Sequence, residues 1–239
     1  FRTGRGRLVR GAVAAKGGSV DVRSLGLVPY LHALRVQEDA VRRVAAGEMD
    51  GVVLATRHSS VLTLGRRTAP SEVLVERWAR RAAAVDLFFV DRGGGATFHD
   101  AGQAVVYPIL HLDRLRLDVA GLVERLARAA MDWLDRLGIA STWDPERPGV
   151  YVDGAKVASI GLHVGGQVTH HGMAVNLAAA SRVGFSLVDP CKMPGLVVTS
   201  VEELAGRPVD PDRAATEIAE AFLARLGRPT PLARGESLR

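Results

Sequence analysis

From residue 149 onward the chain alternates β-prone runs with two short hairpin signals: GVYV, Asp153-Gly154, KVASIGLHV, Gly165-Gly166 and VTHHGMAVNL. Asp-Gly and Gly-Gly reach the positive φ values of tight reversals at little steric cost, so they join strands that run back on one another. The pattern predicts an antiparallel meander whose central strand opens with Lys156, and the rest of the chain has to pack on it. Upstream, residues 27–48 place Leu31, Leu34, Val41 and Val44 at helical spacing, with Gly47 as an end signal. Residues 52–55 and 61–64 read as paired strands. Ser71 caps a helix through Val75 and Trp78, and residues 87–90 form a strand entering Gly93-Gly94-Gly95. A strand over 104–110 precedes a long helix over 119–137 that ends at Gly138. Downstream, 197–201 is a short strand or helix entry and 211–226 a final helix. Hairpin and helix connections alternate, which predicts an α/β fold of the α+β type, with a mixed, mostly antiparallel sheet and flanking helices. One domain over 1–239 is expected, with 1–20 and 228–239 flexible.

Composition narrows the classes of function. The 239 residues are 47% hydrophobic and 24% charged, enough to bury a sizeable core. No apolar run reaches the ~20 residues of a membrane span, and the opening segment lacks the apolar centre of a secretion signal, so a cytoplasmic protein without a membrane partner is expected. The formal net charge is +5, but the basic residues are nearly all Arg and aromatic residues are only 5%, without the interleaving of base-stacking platforms. Nucleic acid is therefore not an expected partner. Lys16, Lys156 and Lys192 are the only lysines. Lysine, unlike arginine, loses its proton when desolvated, which makes a buried lysine a candidate acid or base.

The segment RGGGATFHDAGQ (92–103) concentrates the chemistry. Three successive glycines serve either a close backbone approach or a turn through positive φ. Thr97 and His99 alternate on the outgoing strand and share one face, which favours a pocket wall. The seven histidines show no i,i+4 pair with a third ligand nearby, so no metal site is expected. Cys191, the single cysteine, can form neither an intramolecular disulfide nor a multi-cysteine metal site. It follows Pro190 and is flanked by Asp189, Lys192 and Pro194, surroundings unlike a core, which makes it a candidate nucleophile. A nearby ammonium group would stabilise its thiolate. Lys156 and the adjacent Lys192 both remain candidates for that ammonium.

Four ordered blocks, VLTLGRR, RGGGATFHDAGQAVVYPI, GVYVDGAKVASIGLHVGGQVTHHGMAVNL and FSLVDPCKMPGLVVTSV, resemble the lipoyl(octanoyl) transferases. The resemblance implies the scaffold shared with biotin and lipoate protein ligases. It implies transfer of octanoyl from acyl carrier protein to a lysine of lipoyl domains, on 2-oxoacid dehydrogenase E2 subunits and the glycine cleavage H protein, without a cofactor. It places the acyl-carrying thiol on Cys191 and the proton-transfer partner on Lys156. It places the acyl pocket on Arg92, Gly93, Gly94, Gly95, Ala96, Thr97, Phe98 and His99, on Ser159, Ile160 and Gly161, and on Gly172, Met173 and Ala174. Two positions depart from the family pattern. Asp100 makes an HD pair like that of the ATP-using lipoate ligases, and Lys192 stands where glycine is usual. An ATP-dependent lipoate ligase and a noncatalytic scaffold that binds a lipoyl domain or fatty acid are the alternative readings.

Overall fold

A computed structural model describes residues 8–15, 18–68, 85–185 and 196–227. Cys191, Lys192, Lys16, the expected helix from Ser71 and both expected flexible ends from 1–7 and 228–239 lie outside the described residues.

The main sheet has eight strands: β1 (Leu8–Ala15), β2 (Gly18–Val28), β3 (Gly51–His58), β7 (Gln103–Leu110), β8 (Thr142–Asp144), β9 (Gly149–Val152), β10 (Ala155–Gly165) and β11 (Val168–Asn176). Their spatial order is β1-β2-β3-β7-β11-β10-β9-β8. Every pair is antiparallel except β2 with β3. A second, three-stranded sheet joins β4 (Val61–Leu64), β5 (Asp86–Phe89) and β6 (Ala96–His99) in the order β5-β4-β6. Mixed sheets with mostly antiparallel pairing are as expected, and the β9-β10-β11 meander turns at Asp153-Gly154, as expected, and at Gly166-Gln167, one residue later than the expected Gly165-Gly166, all four turn residues having positive φ.

Alternation along the strands divides the core in two. Val53, Ala55, Ala104, Val106, Met173 and Val175 face one side, with helices α3 (Val119–Asp135) and α6 (Pro211–Leu226) packed on them through Leu122, Leu126, Ile218 and Phe222. Val52, Leu54, Val105, Tyr107, Ile109 and Ala174 face the other, against Ala33, Ala40 and Val44 of α1 (Tyr30–Ala45). Short helices α2 (Leu112–Leu115), α4 (Ser181–Phe185) and α5 (Val201–Ala205) complete the described elements. Asp118 and Asp210 cap α3 and α6 with side-chain bonds to Gly121 N–H and to the Asp212 and Arg213 N–H groups, and Pro211 stands in the first turn where its missing donor costs nothing. Asp132 binds the guanidinium of Arg225 at 2.6 Å through both oxygens, and Trp133 Nε1 donates to Glu217 at 2.8 Å, so the two helices are joined by polar as well as apolar contacts.

Three expectations need correction. Strands β3 and β4 are not paired: β3 lies between β2 and β7, whereas β4 belongs to the second sheet. Ser59 and Ser60 between them lack the positive φ of a two-residue hairpin, so the chain passes on without reversing. Helix α1 starts at Tyr30 rather than 27, because Pro29 holds Val28 in the extended region and β2 runs up to it. Two strands occupy 8–15 and 18–28, where the sequence predicts no element before residue 27 and flexibility is expected up to residue 20.

Candidate active site

A cavity of about 650 Å³ lies between the β10–β11 hairpin, the glycine loop, β6 and the first turns of α1 and α3. Its volume is in the ordinary range of small-molecule sites, roughly 300–1,000 Å³. Arg92, Gly93, Gly94, Gly95, Ala96, Thr97, His99, Lys156, Ser159, Ile160, Gly161, Gly172, Met173 and Ala174 all line it. Phe98 does not. As alternation along β6 requires, it turns away from Thr97 and His99, into an apolar cluster with Leu62, Leu64 and Phe185, and its ring fills the space left by the missing Cβ of Gly184.

The glycine cluster serves both purposes open to it. Gly94 has a φ of +88°, and the Gly93 carbonyl lies 2.8 Å from where a Cβ on Gly161 would stand. The Gly93 N–H donates to the Leu162 carbonyl at 2.8 Å, so the loop rests directly on β10. Arg92 is buried and holds this loop: it donates to the Thr63 carbonyl and hydroxyl at 2.8 and 2.9 Å and to the Gly93 carbonyl at 3.1 Å.

Lys156 reaches the cavity because β10 carries an irregularity. The register with β9 pairs Lys156 with Tyr151 and Ala158 with Val150, leaving Val157 as an extra residue. Val157 and Ala158 both enter the core under α3, while Lys156 and Ser159 both look into the cavity. A one-residue bulge re-aims a side chain in this way. Lys156 is buried, and its Nζ lies 5.6 Å from the centre of the Tyr151 ring. Gly149 leaves room for it, since a Cβ there would overlap Lys156 Cε. On its far side the Lys156 backbone is held by residues 197–199: its N–H donates to Val197 O at 2.8 Å, and Thr199 N–H donates to its carbonyl at 3.0 Å. Phe185 and Leu196, which flank the undescribed segment 186–195, both line the cavity.

A hydrogen-bonded series connects the opposite wall to this backbone. Gln103 Nε2 donates to Phe98 O at 3.2 Å and to Asn176 Oδ1 at 2.9 Å, and Asn176 Nδ2 donates to Thr199 O at 3.1 Å. Gln103 Oε1 therefore accepts, and His99 Nδ1, 2.9 Å away, carries the proton, leaving the lone pair on Nε2. Burial, with the nearby His58 and Arg92, lowers the His99 pKa to about 3, so its ring is neutral at pH 7. His58 donates through Nδ1 to Val28 O and accepts the Tyr107 hydroxyl at 2.8 Å on Nε2; burial brings it to about 4. Tyr30 lies parallel to His99 with ring centres 6.5 Å apart, and burial pushes its phenol up to about 12.

Tyr30, Tyr107 and Asn176 line the cavity without having been singled out in the sequence, because alternation tells which residues share a face but not which face borders a ligand. Asp100, the ligase-like residue, is not on the cavity wall. Its Oδ1 accepts the Gly102 N–H at 2.9 Å and the Ser181 hydroxyl at 2.7 Å, tying the β6–β7 turn to the start of α4. The histidines, whose spacing in the sequence predicts no metal site, converge in part: His163, His170 and His171 gather around Asp91 beside the cavity.

The lipoyl protein ligase A/B catalytic domain matches residues 29–223. An octanoyltransferase of Alkaliphilus metalliredigens is 33% identical over 192 residues, covering 80% of this chain and 88% of the relative. One of Pseudomonas aeruginosa is 34% identical over 205 residues, covering 86% and 90%. Among solved structures, a putative lipoate protein ligase from T. acidophilum with bound lipoic acid superposes with a TM-score of 0.65 at 17% identity, over 84% of this chain and 82% of that one. Lipoate-protein ligase A bound with ATP gives 0.61 at 15% identity, over 84% and 91%. The match over 29–223 and the extent of these relatives establish that the chain belongs to the lipoyl protein ligase A/B catalytic-domain family.

Proposed function

We propose that this chain is a cytoplasmic octanoyltransferase, a single catalytic domain that moves an octanoyl group from octanoyl-acyl carrier protein to a specific lysine of lipoyl domains, through a thioester on Cys191. The acceptors are the lipoyl domains of 2-oxoacid dehydrogenase E2 subunits and the glycine cleavage H protein. The relatives named octanoyltransferase support the reaction. The observation that carries the pairing of Cys191 with Lys156 is the run of the chain. Phe185 and Leu196, the described ends of the segment bearing Cys191, line the same cavity as Lys156, and Val197 and Thr199 bind the Lys156 backbone.

In the first half-reaction the Cys191 thiolate attacks the carbonyl carbon of the carrier's octanoyl thioester. Backbone N–H groups bordering the cavity stabilise the oxyanion, the carbon–sulfur bond to the carrier breaks, and Lys156 gives the departing thiolate its proton. In the second, the now neutral Lys156 removes a proton from the acceptor lysine, whose amine attacks the Cys191 thioester; the carbon–sulfur bond breaks as the amide forms, restoring the Cys191 thiolate and the Lys156 ammonium. A thioester converts to an amide downhill, so the chemistry needs no ATP and no metal. Apolar wall residues such as Ile160 and Met173 exclude water and limit hydrolysis of the thioester. The net charge of +5 favours encounter with an acidic carrier protein.

The ligase reading drew on Asp100, whose observed contacts are with Gly102 and Ser181 rather than with the cavity. Incubation with octanoyl-acyl carrier protein and a lipoyl domain, with and without ATP, separates the two. The proposal expects an octanoyl mass gain on the lipoyl domain that is independent of ATP. Transfer from free octanoate that requires ATP, with none from the carrier thioester, refutes it.

A further inference from the structure

We propose that Asp91, His170 and His171, with His163 beside them, form a binding site for a divalent transition-metal ion of the zinc class. Among the described residues these three side chains offer ligand atoms that all lie within 4.8 Å of one another. His171 Nε2 is 2.9 Å from Asp91 Oδ1, and the Nε2 atoms of His170 and His163 are 3.5 and 3.6 Å from Asp91 Oδ2.

Hydrogen bonding accounts for one of these approaches. The His171 distance is a good N–H to carboxylate bond, whereas 3.5 and 3.6 Å are too long for one. Tetrahedral zinc with bonds of about 2.0–2.1 Å keeps its ligands about 3.3–3.4 Å apart, and the histidine-to-carboxylate separations of 2.9 to 3.6 Å lie on either side of that spacing. The protonation pattern also suits a cation. His163 Nδ1 lies 3.0 Å from the Asp91 backbone carbonyl, which can only accept, so Nδ1 carries the proton. In the neutral ring the Nε2 lone pair is then on the edge nearest the carboxylate, and a ring N–H given to a backbone carbonyl is how metal-binding histidines are commonly oriented. At His171 the ion replaces the Nε2 proton, which moves to Nδ1 of the same ring, so the bond to Asp91 Oδ1 gives way to a shared ion.

The backbone holds this arrangement at some cost. His171 has a φ of +59° within β11, and its N–H is fixed by Gln37 Oε1 at 2.8 Å. Positive φ at a non-glycine residue persists only where its surroundings determine it. The Asp91 side chain is 46% exposed, giving an ion a path from solvent, with Glu38 adding negative charge nearby and Arg66 and Arg92 opposing. An ion here ties the residue before the glycine loop to the β10–β11 hairpin, so its binding is read in stability as well as in stoichiometry.

The test uses the full chain after dialysis against a chelator, titrated with zinc in competition with a chromophoric chelator and, separately, with cobalt. The proposal expects one equivalent bound, the intense visible absorption of four-coordinate cobalt, and a rise in thermal midpoint on adding zinc. Affinity should fall about tenfold or more in Asp91→Asn and in His170→Ala. It should also fall in His163→Gln and should persist in Cys191→Ser; Asp91→Asn, at a side chain 46% exposed against 14% for either histidine, is the variant least able to disturb folding. Absence of stoichiometric binding, binding undiminished in all three site variants, or binding lost in Cys191→Ser overturns the proposal. None of these readouts involves acyl transfer.

Discussion

Replacing Lys156 by methionine removes the ammonium group and keeps a chain of similar reach. The side chain is 8% exposed and lies over the Tyr151 ring, in space that Gly149 leaves open. The lost cation–π contact is worth about 0.5–2 kcal/mol of stability, and methionine offsets part of it by removing a buried charge. A positioned acid or base contributes roughly 10²–10⁴ in rate, which is about 2.7–5.4 kcal/mol of barrier. Catalysis should therefore suffer far more than folding. Rapid-quench intact-mass measurements with octanoyl-acyl carrier protein give the acylation rate, and adding a lipoyl domain to preformed acyl-enzyme gives the second rate. Both should fall by about 10²-fold or more, with the thermal midpoint changed by only a few degrees. Rates within threefold of the parent in both steps would refute the role given to Lys156.

Other consequences concern the wall and the buried rings. His58, His99 and His171 have folded pKa values of about 4, 3 and 4, below the ordinary 6.5. The unfolded chain therefore takes up protons that the native one does not as pH falls from about 6.5 to about 4, and stability declines across that window by at most about 1.4 kcal/mol per pH unit for each histidine; a urea midpoint that stays flat between pH 7 and 5 contradicts this. Gly161→Ala sets a Cβ against the Gly93 carbonyl, 2.8 Å away, and should cost about 1–3 kcal/mol in denaturant titrations while displacing the glycine loop and slowing acylation. Asp100→Ala leaves the Gly102 N–H and Ser181 hydroxyl without their acceptor and should lower stability by about 1–3 kcal/mol without conferring ATP dependence. ATP-dependent transfer by the parent that disappears in this variant would restore Asp100 to the site chemistry.

Local signals made much of this architecture readable. Asp153-Gly154 and the glycines after Val164 announced the meander, and Pro211 and Gly138 marked helix ends where the structure has them or within a few residues. The glycine cluster with Thr97 and His99 pointed to a cavity wall because alternation along four residues is a local property. What escaped depends on long-range register. Simple alternation puts Lys156 and Ala158 on one face; the extra residue at Val157 separates them and pairs Lys156 with Ser159 instead. Asp91 and the three histidines are up to 80 residues apart and meet only because the hairpin folds against the glycine loop. Strands over 52–55 and 61–64 looked paired because the stretch between them is short, whereas Ser59 and Ser60, which join the observed strands, lack the φ values a two-residue hairpin needs.

The central claim is that octanoyl is carried on Cys191. The most direct measurement is peptide mapping by mass spectrometry at mildly acidic pH, where thioesters persist, after incubation with octanoyl-acyl carrier protein alone. The account predicts one octanoyl group on the peptide containing Cys191, released by neutral hydroxylamine and absent as a thioester from Cys191→Ser. Octanoyl on another residue, or lipoyl-domain transfer at the parent rate by Cys191→Ser, would contradict it.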